Sequence, residues 1–133
     1  MTHPLKTKPV LLLLLGFFVI RFLVCIVMGI QPQDAYYTYY ADHLDLSYFD
    51  HPPMVAYFVK LSITIFGKHA AVVKLGDLFW STFTLYLFYL LAGHFLSYKR
   101  QLYATLIFGS SLLLSLVSII TTPDVPLLFF WTL

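Results

Sequence analysis

The sequence contains no glutamate, and charged residues of either sign are few. They make up 11% of the 133 residues, while hydrophobic residues make up 60%. A soluble domain carries about a quarter charged residues, and a soluble core could not bury so much apolar surface in so short a chain. The composition therefore predicts an integral membrane protein.

One cysteine, scattered glycines and a small net charge exclude three further kinds of site or partner. The single cysteine, Cys25, lies in an apolar run. It allows no intrachain disulfide and forms no metal-ligand pattern, so we expect an ordinary buried side chain. The six glycines are scattered and build no phosphate-binding loop. The net charge of +2 is too small to indicate a nucleic-acid partner.

Long apolar runs predict an all-α polytopic membrane protein. We expect spans at about 10–30, 70–96 and 102–120, and the start of another at 127–133, since roughly 20 apolar residues cross a bilayer. A cleavable signal peptide is the alternative for the first run, but that run is longer than the usual stretch of about 7–15 residues and no small-residue cleavage site follows it. The run Met54–Phe66 is too short to cross, which favours an interfacial or re-entrant helix.

Basic residues predict the orientation of the chain. Lys6 and Lys8 precede the first span, and Lys99 and Arg100 lie between the second and the third. Because cytoplasmic loops are enriched in lysine and arginine, we expect both clusters inside. Residues 31–69, which we call the outer loop, and the turn at 121–126 then face the outer side. Lys60 and Lys68 violate the rule mildly there, which a functional site could explain.

Charged residues also occur inside the predicted spans. Arg21 and Asp77 are expected at similar depths, so we predict an ion pair between them, with Lys74 as the competing partner of Asp77. Intramembrane charges are costly and usually face a bundle interior. If they instead line a pathway, the chain is part of a transporter or channel, which is one alternative function.

The outer loop carries most of the acidic residues, and each motif has a purely structural alternative. Asp34 could cap a short amphipathic helix, Ala35 to about Leu44, with the following tyrosines as an interfacial belt. Asp50 and His51 either cap the helix that follows or form a site that accepts a proton, holds a metal or meets a phosphate. Asp124 could cap the fourth span.

Taken together, three motifs resemble one family. They are the segments QDAYY, YFDHPP and TPDVPL, which begin at Gln33, Tyr48 and Thr122. In this order and spacing they resemble the dolichyl-phosphate-mannose-protein mannosyltransferase-like family, the bacterial members of glycosyltransferase family 39 within the GT-C superfamily. The resemblance covers essentially everything from Gln33 onward, and the YFDHPP block is the most specific part of it.

The resemblance implies a membrane enzyme with its active site on the outer face of the bacterial inner membrane. Such enzymes transfer a sugar from a polyprenyl-phosphate carrier to a lipid, glycan or protein acceptor. The implied catalytic residues are Asp34, as general base or metal contact, and Asp50, which positions the acceptor or a metal. A divalent cation is a possible cofactor, with Asp34 and Asp50 as its candidate ligands. From their chemistry and their place beside these acids, we further expect Tyr36, Tyr37, His51, Lys60 and Asp124 to bind the substrate.

Two departures from the family pattern shape these expectations. Family members usually begin the first motif with two acids, where this chain has Gln33 before Asp34. Relatives also have about a dozen spans and a soluble C-terminal region, so we expect residues 1–133 to be the N-terminal part of one GT-C-like helix bundle, inactive alone. A non-catalytic truncated scaffold is the remaining alternative.

Overall fold

The computed structural model describes residues 7–133, apart from the side chains of Thr7 and Ala70, so the predicted inner position of Lys6 lies outside the described residues. Every regular element in this part of the chain is a helix. The helices are α1 Thr7–Met28, α2 Pro32–Asp42, α3 Met54–Phe66, α4 Ala70–Ala92, α5 Tyr98–Gly109, α6 Leu112–Val117 and α7 Asp124–Thr132.

Two helices are long and apolar enough to cross a membrane. They cover Lys8–Met28, which overlaps the expected span 10–30, and Ala71–Ala92, which lies within the expected span 70–96. Leu12 and Val27 lie on one side of α1 and are 70% and 88% exposed, which suits contact with lipid. Cys25 is buried against Leu78, as expected for an ordinary core side chain.

The expectation of a single helix over 102–120 is wrong, because α5 ends at Gly109 and α6 begins at Leu112. The hydroxyl of Ser111 accepts a hydrogen bond from the amide of Leu114 at 3.3 Å and so starts a new helix. Arg21 on α1 donates from Nη2 to the carbonyl of Gly109 at 2.6 Å. A contact from a distant helix thus satisfies a carbonyl at the helix end.

The outer loop contains two helices. The first begins and ends slightly earlier than the predicted helix, at Pro32–Asp42, and the second covers Met54–Phe66 as predicted. Gly67 ends α3 with φ of 90°, a conformation that favours glycine. Tyr37 on α2, Val59 on α3 and Val73 on α4 share one core cluster, so the outer loop packs on the membrane-spanning part of the fold.

Helix α4 lies at the centre of the packing. It contacts α1, α3, α5 and α7 along its length. Leu85 and Tyr89 pack with Leu14 of α1 and Leu114 of α6. Near the N-terminus of α4, Lys74 contacts Asp34 of the outer loop and Ile119 of the segment between α6 and α7. Asp77 contacts Thr121 of the same segment.

The predicted ion pair between Arg21 and Asp77 is wrong. Arg21 bonds the Gly109 carbonyl and lies over the ring of Phe17, 5.1 Å from its centre. Asp77 instead accepts a hydrogen bond from the hydroxyl of Thr121 at 2.5 Å. Similar depth in two helices does not fix which faces meet, and here each charged side chain is directed to a different neighbour.

Candidate functional site

Asp34 lies in the first turn of α2 and is buried, with 2% of its surface exposed. Its Oδ2 accepts from the backbone amide of Gln31 at 2.7 Å, and its Oδ1 accepts from the amide of Thr121 at 2.9 Å. The predicted cap therefore exists in a modified form, since Asp34 bonds back to the residue before the helix. The same carboxylate also joins α2 to a segment 87 residues away.

A buried lysine on α4 completes this group. The ammonium of Lys74 lies 2.6 Å from Oδ2 of Asp34 and donates to the carbonyl of Ile119 at 2.5 Å. Lys74 was expected to compete for Asp77, but Asp34 is its ion-pair partner among the described residues. Together with the bond between Thr121 and Asp77, these contacts connect α2, α4 and residues 118–123, which we call the α6–α7 turn.

Asp50 lies in a different environment, on the exposed side of α2. Its Oδ2 accepts from the hydroxyl of Tyr36 at 2.6 Å and its Oδ1 from the hydroxyl of Tyr40 at 2.7 Å. Nε2 of His51 lies 3.6 Å from Oδ2 of Asp50. The side chain of Asp50 is 39% exposed and that of His51 is 37% exposed. Helix α3 begins after Pro53 with no side-chain cap, so the alternative that Asp50 or His51 caps it is wrong.

These hydrogen bonds change the acidity of the groups that make them. The hydroxyls of Tyr36 and Tyr40 hold the pKa of the Asp50 carboxyl below its usual range, because they stabilise the ionised form. The bond to Asp50 raises the pKa of Tyr36 in turn, and the bonds to Tyr36 and Asp50 raise the pKa of Tyr40. Near neutral pH the group is therefore a carboxylate between two neutral phenols.

The buried ring of Tyr37 packs against His51, on the core side of the Asp50 group. Its ring centre lies 5.4 Å from that of His51. Burial raises the pKa of Tyr37 to about 12, and the charges of Asp50 and Asp124 contribute to the rise. Asp124 is the exposed first residue of α7. Four of the predicted residues, Asp50, His51, Tyr36 and Tyr37, thus meet in the structure, with Asp124 on the same side.

Lys60 belongs to another part of the outer loop. It is half-buried on α3 and helps Lys68 to lower the pKa of the Asp42 carboxyl, with the hydrogen bond from Lys68 as the larger cause. Lys68 and Asp42 form a 2.6 Å ion pair at the rim of a groove of about 380 Å³. Asp34 also lines this groove, on the side of α2 away from the Asp50 group.

Asp34 and Asp50 were also the candidate ligands for a divalent cation. In the described part of the chain, no cluster of three or more His, Cys, Asp or Glu side chains could hold a metal ion. The oxygens of Asp34 already accept from Lys74 and two backbone amides, and Asp50 has only His51 as a neighbouring ligand. These residues therefore do not make a ready metal site.

Three residues of this region were not assigned to the site from the sequence. The sequence pattern places Tyr40 among the interfacial aromatic residues and Lys74 among the charges of the spans. Thr121 joins Asp34 through its amide and Asp77 through its hydroxyl. The spacing of Tyr36 and Tyr40 was the available signal, because residues four apart lie on one face of a helix. No local pattern could have indicated the contacts of Lys74 and Thr121.

The described part of the chain combines two helices long enough to cross a membrane with an exposed carboxylate, phenol and imidazole group. The model of the family "Dolichyl-phosphate-mannose-protein mannosyltransferase" matches residues 50–133. The match covers more than half of the chain, and the protein belongs to this family, which confirms the resemblance found in the motifs. No curated protein and no solved structure matches the chain.

Membership of this family implies glycosyltransferase activity in general. With the two apolar helices it also supports a location in a membrane. The matched segment begins at Asp50 and includes His51 and Asp124, whereas Asp34 and the tyrosines of α2 precede it.

Proposed function

We propose that the protein transfers a sugar from a polyprenyl-phosphate carrier to a lipid, glycan or protein acceptor on the outer face of the bacterial inner membrane. The observation that carries this proposal is the exposed Asp50 carboxylate between the hydroxyls of Tyr36 and Tyr40, at the start of the segment that matches the family. A lipid-linked donor needs no nucleotide-binding loop, in agreement with the scattered glycines.

In the proposed reaction, the oxygen of an acceptor hydroxyl forms a bond to the anomeric carbon of the sugar. The bond from that carbon to the phosphate oxygen breaks, and its electron pair stays on the phosphate. The acceptor proton goes to a carboxylate, which acts as general base. A ring N–H of His51 would donate a hydrogen bond to the leaving phosphate and stabilise its charge. Lys60, the other cation expected from the sequence to meet the phosphate, lies near Asp42 and outside the Asp50 group.

The sequence-based assignment makes Asp34 the base and Asp50 the residue that positions the acceptor. The contacts favour an exchange of these roles. Asp50 is open to solvent, while Asp34 is buried and paired with Lys74. A general base must come within hydrogen-bond reach of the proton that it removes. We therefore propose Asp50 as the base, and Asp34 as the carboxylate that fixes α2.

The remaining substrate contacts are proposed from the same group of side chains. Tyr36, whose hydroxyl binds Asp50, is 39% exposed, and its ring can pack on a sugar face. Tyr37 is buried, so we propose that it supports Tyr36 and His51 from the core side. Asp124, the exposed first residue of α7, can accept hydrogen bonds from sugar hydroxyls. The transporter alternative receives no such support, because Arg21 and Asp77 are both buried and bonded within the helix packing.

The test is sugar transfer from a polyprenyl-phosphate donor, with the protein produced from its whole gene and held in membranes. Asp50→Asn should reduce turnover by about 10²–10⁴-fold, the usual effect of losing a general base. Asp45→Asn is the matched control, since Asp45 is an exposed acid of the same loop whose carboxylate bonds only the next amide, at 2.6 Å. It should stay near wild-type turnover.

Asp34→Asn distinguishes the two assignments. If Asp34 positions α2, the variant should lose stability together with activity. A stably folded Asp34→Asn protein with a severe loss of turnover, beside an active Asp50→Asn protein, would restore Asp34 as the base. The absence of sugar transfer from every polyprenyl-phosphate donor would reject the proposed function itself. Gln33→Asp, which supplies the second acid of the family motif at an exposed position, should raise turnover if the departure weakens this enzyme.

A further inference from the structure

A second group of polar contacts, separate from the exposed Asp50 group, is enclosed by the helix packing around Lys74. Its side chain is only 7% exposed, and its ammonium bonds two groups that belong to different elements. One is Oδ2 of Asp34 on α2, at 2.6 Å, and the other is the carbonyl of Ile119 on the α6–α7 turn, at 2.5 Å. Lys74 is thus a bridge between these two elements and α4.

The partners of Lys74 are themselves connected. Oδ1 of Asp34 accepts from the amide of Thr121, and the hydroxyl of Thr121 donates to Asp77, which lies one turn after Lys74 on α4. The contacts therefore form a closed ring through α2, the α6–α7 turn and α4. Removing any one member leaves polar groups buried without their partners, so the ring fixes the three elements together.

The elements fixed by this ring carry the proposed site. Helix α2 holds Tyr36, Tyr37 and Tyr40, two of which bind Asp50. The α6–α7 turn leads directly to Asp124, whose charge acts on Tyr37. The ring therefore sets the position of the Asp50 group relative to Asp124, although none of its members lies beside the exposed carboxylate.

We propose that Lys74 is a positioning residue that holds α2 against the α6–α7 turn through Asp34 and Ile119, and so aligns the two sides of the substrate site. The alignment of a substrate rests on the proposed function, but the docking of α2 does not. Errors of about 1 Å in position can reduce an enzymatic rate about 10²-fold. Loss of Lys74 should therefore reduce kcat more than it changes KM.

The docking of α2 can be measured without any assay of sugar transfer. Ala41 on α2 is fully buried, with 0% exposure, in the core cluster with α3 and α4, and it is not a member of the polar ring. A cysteine at Ala41, in a Cys25→Ala background, should be protected from a membrane-impermeant maleimide while α2 is docked. Lys74→Met should raise the rate of labelling about tenfold or more, if the ring contributes the free energy of several charged hydrogen bonds.

Arg21→Met is the matched control. Arg21 is another buried cation in a membrane-spanning helix, but its hydrogen bond goes to Gly109 and not to α2. It should leave the cysteine at position 41 protected. Equal labelling in the two variants would show general loosening and would overturn the proposal, as would full protection in Lys74→Met with unchanged kcat.

A second variant covers the case in which Lys74→Met does not fold, because it leaves the Asp34 carboxylate buried without a cation. Lys74→Met combined with Asp34→Asn removes both charges, which is often tolerated in buried pairs. This protein should fold and still label faster at position 41 than the parent. Protection equal to that of the parent would reject a positioning role, whether or not the protein transfers sugar.

Discussion

The guanidinium of Arg21 and the carbonyl of Gly109 form a 2.6 Å hydrogen bond between residues that are 88 positions apart. This bond joins the middle of α1 to the end of α5. It lies where an apolar run that could have formed one helix is instead divided at Ser110 and Ser111. The buried arginine therefore binds the backbone at the point where the helix is interrupted.

Arg21→Met should loosen the junction between α5 and α6. The variant leaves the Gly109 carbonyl without its charged donor, which typically costs about 1–3 kcal/mol of local stability. We expect amide hydrogen exchange at residues 110–114 to become at least about fivefold faster, a change equivalent to about 1 kcal/mol. Arg100→Met, at an exposed position near the start of α5, is the control. Unchanged exchange at the junction would show that Ser111 alone maintains the break.

Gly109→Ala should destabilise the contact between α1 and α5. A Cβ at this position would lie 2.6 Å from Cε2 of Phe17 and 3.1 Å from Cδ2 of Leu85. Overpacking of this kind costs about 1–3 kcal/mol, measured as the free energy of unfolding in detergent. Gly16→Ala on α1 is the control, since its Cβ would meet nothing within 4 Å. Equal stability of both variants would contradict the close packing.

The phenols that bind Asp50 should determine part of the response to acid. Tyr36 and Tyr40 lower the pKa of Asp50 in the folded state. A lowered pKa gives stability that is present above the unfolded value of about 3.9 and is lost as pH falls through the folded value. Stability should therefore decrease on acidification from about pH 5 to pH 3, and decrease less in Tyr36→Phe combined with Tyr40→Phe.

Thermal unfolding at several pH values measures this difference. Tyr39→Phe is the control, because Tyr39 lies on another side of α2 with its ring against His43, 4.5 Å between centres. It should keep the response of the parent. If the double variant also retains that response, Asp50 does not contribute to the acid sensitivity.

The predicted orientation remains to be measured by cysteine labelling in a Cys25-free protein. A cysteine at Leu46, which is 87% exposed in the outer loop, should react with an impermeant reagent from the outside. A cysteine at Ser97, beside Lys99 and Arg100, should react only after the membrane is opened, because the basic cluster favours the inner side. Labelling of Ser97 in intact cells would reverse the expected topology.

The sequence by itself determined the membrane class, the family, and apolar helices at about 10–30, 54–66 and 70–96, which the structure has at 7–28, 54–66 and 70–92. The length of the apolar runs and the positions of proline and glycine determine where helices form, and these are local properties of the chain. The family motifs are likewise short sequence segments. The tyrosines at positions 36 and 40 also shared a helix face by spacing alone. These features depend on residues that are close in sequence, which is why they could be inferred without a structure.

Only the tertiary structure decided the partners of the buried charges. Similar depth predicts a pair between Arg21 and Asp77. In the structure Lys74 pairs with Asp34, Thr121 donates to Asp77, and Arg21 donates to the carbonyl of Gly109. A buried charge binds whichever polar group the packing brings within reach. Leaving the charge unpaired costs far more free energy than exchanging one polar partner for another. That choice depends on helix rotation, which the local sequence does not fix.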